Sequence, residues 1–457
     1  MQFAGQRTDK DLKPIGEPDN ILIKMSDDVL PQPDAILVTG ITPQATRAGG
    51  ITEAEFCQYF TEQISTPDTI MVGFNNIRFD NEFIRFILWR NFYDAYEWAW
   101  KNGCSTWDLL DVARITRALR PDGIKWPFAP DGKPSNRLEL LASVNKLEHA
   151  NAHDALSDVN ATIDIARLIK SKQPKLFDYL LQNRGKNKVE PLVTNGQPLV
   201  YTSGRYPGDW QKTTVAVMVA AHPDKGAALM YDLRIDPDEF AGLPPAELAA
   251  AWQNREENAP YFPVKVLSYN KCPAIAPVST IDKASEERLG LHMQIIQNHF
   301  TKLQKHQDFG DKLVAALEIM NAKYKDQQSL VVDEMQVDAA LYDGFVNDAD
   351  RAKMRVVRAA DATGLADLDL DFADERLKHL LPLYKARNYP ASLTSDEQVW
   401  WEKYKQRRLL DGGEKSRVAS YFKRLGELSE QPGLGAEQKY LLEELQLYGQ
   451  SVLPVQD

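Results

Sequence analysis

Cysteine is scarce in this chain. Only Cys57, Cys104 and Cys272 occur in 457 residues, far apart and without CxxC spacing. That excludes a disulfide scaffold and a cysteine-based zinc site, and predicts three reduced, structural thiols. Long apolar runs are missing too: no stretch approaches the roughly 18 residues that cross a bilayer, and the first residues lack the basic and apolar regions of a secretion signal. A cytoplasmic protein with no membrane contact is therefore expected. An excess of positive charge is also absent, because Lys and Arg number 54 against 65 Asp and Glu, leaving a net charge of −11. A uniformly basic surface that coats nucleic acid is thereby excluded. A local channel of Lys, Arg and aromatic side chains could still hold a single strand, since distant acidic groups are screened beyond roughly 10 Å.

The chain has ample material for several cores, with 43% apolar residues, 9 Trp, 17 Tyr and 17 Phe. At about 150 residues per domain, its length predicts about three domains. Residues 1–172 alternate strand-like and helix-like stretches, with short strands at 3–8 and 21–25, an apolar helix face over 51–65 and a buried strand at 69–73. Such alternation predicts an α/β sheet with helical cover. Lys170 to Lys188 carries six basic residues and reads as a solvated linker. The texture then becomes β-like, with segments at 199–202, 213–221, 227–233 and 264–269 and helical insertions near 244–257 and 283–303. This is expected to form a small, curved β domain over 173–328. From 329 to 457 the pattern is helical, with amphipathic stretches at 374–389, 395–410, 414–429 and 436–452, the first kinked at Pro382.

Two motifs carry chemistry. Asn151-Ala-His153-Asp-Ala-Leu-Ser-Asp158 opens a helix, so Asp158 sits one turn in and His153 lies on the approach. A carboxylate so placed can ligate a metal, and a histidine there can take a proton from water. Gly73-Phe-Asn-Asn-Ile-Arg-Phe-Asp80 ends a buried strand and begins another helix, putting Asp80 where ligand sites of α/β folds collect. Taken singly, the first motif reads more readily as a capping aspartate with a surface histidine, and the second as an aspartate that only caps its helix.

Taken together and in this order, the motifs resemble the DEDD exonuclease superfamily, in its catalytic-histidine subgroup. The resemblance extends to the bacterial exodeoxyribonuclease I family through Thr39-Gly-Ile-Thr-Pro43, Trp89-Arg-Asn-Phe-Tyr-Asp94, Trp107-Asp-Leu-Leu-Asp111, Gln173-Pro-Lys-Leu-Phe-Asp-Tyr179, Asn270-Lys-Cys-Pro273 and Leu341-Tyr-Asp-Gly-Phe345. It covers nearly the whole chain. It implies an α/β RNase H-like exonuclease domain, an SH3-like β domain and a C-terminal α-helical domain closing a groove around single-stranded DNA. The implied activity is 3′→5′ degradation of single-stranded DNA to 5′-mononucleotides, in repair and recombination, by a monomer. By the same resemblance, Asp80 and Asp158 are metal ligands for Mg²⁺, two ions in the complete site, and His153 is the general base. Arg137, Arg85, Tyr96, Trp100, Arg114, Lys186, Lys265, Asn270 and Tyr342 are implied to touch the DNA. Arg120 and Tyr179 are implied to bind the acidic C-terminal tail of single-stranded DNA-binding protein.

One expected element is lacking. The family opens on a strand carrying Asp-x-Glu, the other two metal-binding carboxylates, whereas this chain opens Met1-Gln-Phe-Ala-Gly-Gln-Arg-Thr8. The expectation is a start codon placed too far downstream, with a working nuclease as the full gene product. The alternative is a catalytically impaired protein that keeps its single-stranded-DNA and partner-binding surfaces. A ribonuclease of the same superfamily ranks lower, because its relatives generally lack the β and helical C-terminal domains.

Overall fold

The computed structural model describes residues 1–147, 155–256, 259–325 and 333–453. In the first domain, β1 (Gln2–Gly5) pairs antiparallel with β2 (Asp19–Leu22), and β3 (Ile70–Gly73) pairs parallel with β4 (Ser105–Asp108). Among the described residues these are two separate two-stranded sheets. Arg7 follows β1 and donates to the carbonyls of Gln63 and Ile64 at 3.1 and 2.9 Å, and to Thr69 Oγ1 at 3.3 Å, just ahead of β3.

The second domain is a five-stranded antiparallel sheet in the order β8-β7-β6-β5-β9. Its strands are β5 (Leu199–Thr202), β6 (Thr213–Ala221), β7 (Ala227–Asp232), β8 (Val264–Ser268) and β9 (Ala274–Pro277). Alternate side chains go to opposite faces. Val200, Val215, Val217, Leu229 and Tyr231 join Trp107 and Leu109 of the first domain, and Phe177 of the connector, in one continuous core. Leu199, Tyr201, Ala216, Ala228, Met230 and Leu267 pack beneath Val189 and Val193. With both faces covered, these strands read as nearly unbroken apolar runs. At the bulge between Met218 and Ala220 the Phe309–Lys325 helix comes so close that a Cβ on Gly310 would stand 2.5 Å from the Val219 carbonyl oxygen.

The basic connector is not a solvated linker. It forms the end of the Ala155–Lys172 helix, the Pro174–Gln182 helix and the start of the Lys186–Thr194 helix. Phe177 and Leu180 anchor it in the shared core, while its lysines line the outside. Periodic charge hid an apolar stripe.

The third domain contains helices Glu375–Asn388, Ser395–Leu410, Arg417–Ser429 and Ala436–Ser451, the first continuing through Pro382. It shares a core with the first domain, in which Trp89, Phe92 and Ala95 meet Val337, Leu341, Leu377 and Tyr384. A buried polar seam runs beside that core. Arg387 bonds Asp28 at 2.7 Å and both oxygens of Asp338 at 2.7 Å, and Arg408 Nε lies 3.3 Å from Asp28. Burial alone would raise the carboxyls of Asp28 and Asp338, but the surrounding arginines hold both below the usual carboxylate range. The last two helices return to the first domain, where Ile36 packs among Tyr421, Leu425, Leu441 and Leu445. The first domain is thus fixed to each of the others by a common core.

Candidate active site and nucleic-acid interface

The loop that delivers Asp80 is built by its own sequence. A Cβ on Gly73 would lie 2.6 Å from Asn76 Cβ, so only glycine lets Asn76 fold against the strand end. Asn75 takes the left-handed conformation with φ 69°, which asparagine tolerates better than most residues. Asp108, at the end of β4, then accepts the backbone N–H groups of Asn75 at 2.8 Å and Ile77 at 3.4 Å, together with Leu110 N at 2.9 Å. Burial pushes the Asp108 carboxyl up to about 6 against those donors. Its partners give Asp108 the job of clamping the neighbouring strand's loop.

Asp80 follows at the first position of the Asp80–Arg90 helix. The N-cap residue is Phe79, without a side-chain cap, so Asp80 is not the cap that its motif alone would allow. Its side chain is reached by water, yet protein surrounds it closely enough for desolvation to raise its pKa, and the negative charge of Asp158 raises it further. Asp158 lies in the first turn of the Ala155–Lys172 helix and is half-buried. The two predicted carboxylates are therefore brought within each other's field at the starts of two helices. Hard oxygen donors that repel one another fit a divalent cation, whose charge would relieve the repulsion. Among the described residues no group of three or more His, Cys, Asp or Glu side chains forms a metal cluster. His153 lies outside the described residues.

The predicted DNA-contacting residues divide into groups. Arg85 and Tyr96 adjoin, with the guanidinium 5.7 Å from the ring centroid. Glu82 holds Arg85 at 2.5 Å and also accepts the hydroxyl of Tyr342, which reaches over from the third domain. The Tyr342 ring meets Phe86 edge-on at 5.7 Å. Trp100 is 64% exposed, whereas Trp98 is buried at 5%, so the aromatic stripe divides between surface and core. Between the first and third domains a cavity of about 270 Å³ is lined by Tyr93, Tyr96, Phe345, Arg351, Arg355 and Arg358. Arg114 is held by Asp111 at 2.6 Å.

Arg137 is an exposed residue at the start of the Leu138–Val144 helix. Lys186 Nζ lies 3.5 Å from the place of a Cβ on Gly226, whose carbonyl accepts Tyr269 N, bringing Lys186 close to exposed Asn270. Lys265 is half-buried, donating to the Phe262 carbonyl at 2.9 Å with its ammonium 4.6 Å from the Tyr261 ring centroid, and burial lowers its pKa to about 8. Arg120 lies on another face, 3.4 Å from Asp282 and within the field of Arg288, while Tyr179 is half-buried on the Pro174–Gln182 helix. Sequence reading passed over Glu82, Asp108 and Asp111, although the i, i+3 spacing to Arg85 and Arg114 was a visible signal for two of them.

An RNase H-like exonuclease domain joined to an SH3-like domain and a helical C-terminal domain defines the class. Family models match accordingly: Exonuclease over residues 1–166, Exonuclease I SH3-like domain over 184–318 and Exonuclease I C-terminal domain over 335–452. Exodeoxyribonuclease I of Haemophilus influenzae is 40% identical over 460 residues, covering 99% of this chain and 94% of its own. The crystal structure of Escherichia coli Exonuclease I in complex with a dA16 oligonucleotide is 39% identical with a TM-score of 0.91, over 99% of this chain and 95% of that one. An ExoI/SSB-Ct complex is similar with a TM-score of 0.90 at 38% identity, over the same shares. The chain belongs to the exodeoxyribonuclease I family.

Proposed function

We propose that this protein degrades single-stranded DNA from its 3′ end by phosphodiester hydrolysis, releasing 5′-mononucleotides. The observation that supports the reading is that the charge of Asp158 acts on Asp80, at the start of the helix following β3, within a domain of exonuclease type. These two carboxylates would hold divalent metal, with Mg²⁺ favoured by an oxygen-only donor set and two ions in the complete site. A bound divalent ion supplies Lewis acidity toward the phosphodiester. Arg85 and Arg114 grip strand phosphates, their guanidinium forks already oriented by Glu82 and Asp111. Tyr96 and exposed Trp100 offer base-stacking surfaces, which serve any sequence because every base has a π face. His153 is the residue proposed to take the proton from the attacking water. Further contacts come from Arg137, Lys186, Lys265, Asn270 and Tyr342.

The relative solved with an oligonucleotide supports DNA as the substrate. The one solved with SSB-Ct supports the acidic tail of single-stranded DNA-binding protein as a partner, received by Arg120 and Tyr179. We place the protein in the cytoplasm as a monomer acting in DNA repair. Its three cysteines are free and buried, and among the described residues no helix is long and apolar enough to cross a membrane.

The test uses the full-length protein with Mg²⁺ and strands labelled at one end. Loss of label as mononucleotide from 3′-labelled single-stranded DNA, with 5′-labelled strand shortening stepwise, is expected. Preferential degradation of RNA, or release of 5′ label first, would refute the reading.

A further inference from the structure

Beside the Asp80–Asp158 pair, positive charge converges at the junction between the first domain and the β sheet. Arg78 ends the turn Asn76–Arg78, two residues before Asp80, and Arg114 projects from the Leu109–Leu119 helix. Both reach Gly204, in the connection between β5 and β6. A Cβ on Gly204 would stand 3.0 Å from Arg78 Nη1, 3.1 Å from Arg114 Nη1 and 3.5 Å from Arg114 Nη2. The φ of Gly204 is not in the left-handed region, so its missing side chain serves space and not backbone conformation. Two guanidiniums thus flank one point beside a bare stretch of backbone.

Lys212 closes the same connection, its backbone tied beside Ser203 and its ammonium within the field of Arg114. Its carbonyl accepts Ser203 N at 2.9 Å, which ties the two ends of the loop together. Gln211 and Lys212 both take left-handed conformations, with φ 49° and 59°. Consecutive side-chain-bearing residues rarely hold that geometry, and such strain gathers where a loop is shaped for a task. Burial lowers the Lys212 pKa, the charge of Arg114 lowers it further, and Asp209 partly offsets both. Among the described residues, Asp111 is the one carboxylate hydrogen-bonded to either guanidinium, and Arg114 Nε is buried without a partner. Cations gathered so closely want an anion. A carboxylate would satisfy one guanidinium fork, whereas a tetrahedral anion can present separate oxygens to several donors.

We infer that Arg78 and Arg114, which meet at Gly204, together with Lys212 at the other end of the same loop, form a subsite for one internucleotide phosphate of the bound strand, on the 5′ side of the bond being cut. This rests on the single-stranded-DNA reading above and adds Arg78, Lys212 and Gly204 to it. Because Arg78 and Arg114 belong to one domain and Lys212 and Gly204 to the other, the phosphate bridges them and fixes the register of the strand against Asp80.

The experiment measures binding of an oligothymidylate by fluorescence anisotropy across a salt series, with EDTA present to prevent cutting. When a protein ceases to neutralise one phosphate of a single strand, the slope of log Kd against log salt falls by roughly 0.7. Arg78→Gln and Lys212→Gln should each reduce it by about that amount, and the double variant by no more than one such step, since both hold the same phosphate. Gly204→Ala keeps the charge and should still weaken binding, by filling the space with a methyl group. In strands carrying a single neutral methylphosphonate, one position should weaken wild-type binding and leave Arg78→Gln unaffected. Unchanged salt slopes in both single variants, with melting temperatures intact, would overturn the subsite. So would competition by inorganic phosphate or a 5′-mononucleotide that vanishes in the variants while their strand affinity stays at the wild-type value, because the anion would then be free phosphate or product. Failure of the wild-type protein itself to bind the oligonucleotide would instead overturn the substrate reading, and the subsite with it.

Discussion

The carboxylate of Asp158 acts on Asp80 and raises its pKa, so residues 78 positions apart in sequence lie within reach of one another's charge. A carboxyl with a raised folded pKa binds its proton more tightly in the folded than in the unfolded protein. Stability therefore falls as pH rises through the window from the unfolded to the folded value. Asp158→Asn should move the Asp80 titration toward lower pH, read by ¹³C NMR of the side-chain carboxyl. A titration unmoved by the substitution would show that the two groups do not interact. Mg²⁺ should raise the melting temperature of the wild-type protein more at pH 8 than at pH 5, because protons compete for the same oxygens, and should lose that effect in Asp80→Asn.

The aromatic stripe gives a sharper test of groove against core. Trp100→Ala should weaken single-strand binding by about 1–3 kcal/mol, the range for loss of one base-stacking surface, with little change in unfolding free energy. Trp98→Ala should do the reverse, lowering stability by about 3–5 kcal/mol through the cavity it leaves. Isothermal titration and urea unfolding of both variants decide the assignment; equal effects on binding would contradict it.

Much of this division was legible in advance, and what was not has a physical cause. The strands at 213–221 and 199–202 and the helix at 395–410 coincide with the sequence reading, because uninterrupted β-branched runs and capped amphipathic periods are local signals. The strand Ala274–Pro277 escaped it, being short and ending in proline. The 170–188 segment was misread because Phe177 and Leu180 face the shared core among conspicuous lysines. Among the functional residues, motifs pointed to Asp80 and Asp158, while Asp108 was invisible as a clamp. Its role exists only where β3 and β4 pair and bring Asn75 beside it. Arg78 was equally hidden, since it meets Gly204 only across two domains.

The buried seam of Asp28, Asp338, Arg387 and Arg408 predicts acid lability. Its carboxyls have folded pKa values below their unfolded ones, so their contribution is present above the unfolded value of about 4 and is lost as pH falls below it. Arg387→Met should cost about 3–5 kcal/mol at neutral pH by leaving two buried carboxylates without their main partner. The deficit should shrink below pH 4. A deficit independent of pH, in urea unfolding at several pH values, would assign the effect to packing alone.

Arg120 offers its guanidinium beside Asp282 on a face away from the proposed active site. Arg120→Glu should weaken binding of an acidic peptide ending in a free carboxylate by about 1.5–3 kcal/mol, the range for a charge-assisted hydrogen bond. Fluorescence titration with the labelled peptide measures it, and unaltered affinity would move the partner site elsewhere.

The most direct test of the account is a paired measurement on Asp158→Ala in the full-length protein: the rate of mononucleotide release from 3′-labelled single-stranded DNA with Mg²⁺, and Kd for the same strand with EDTA. The account predicts that release is abolished while Kd stays within about twofold of wild type, a change below roughly 0.5 kcal/mol. Turnover at the wild-type rate would contradict it.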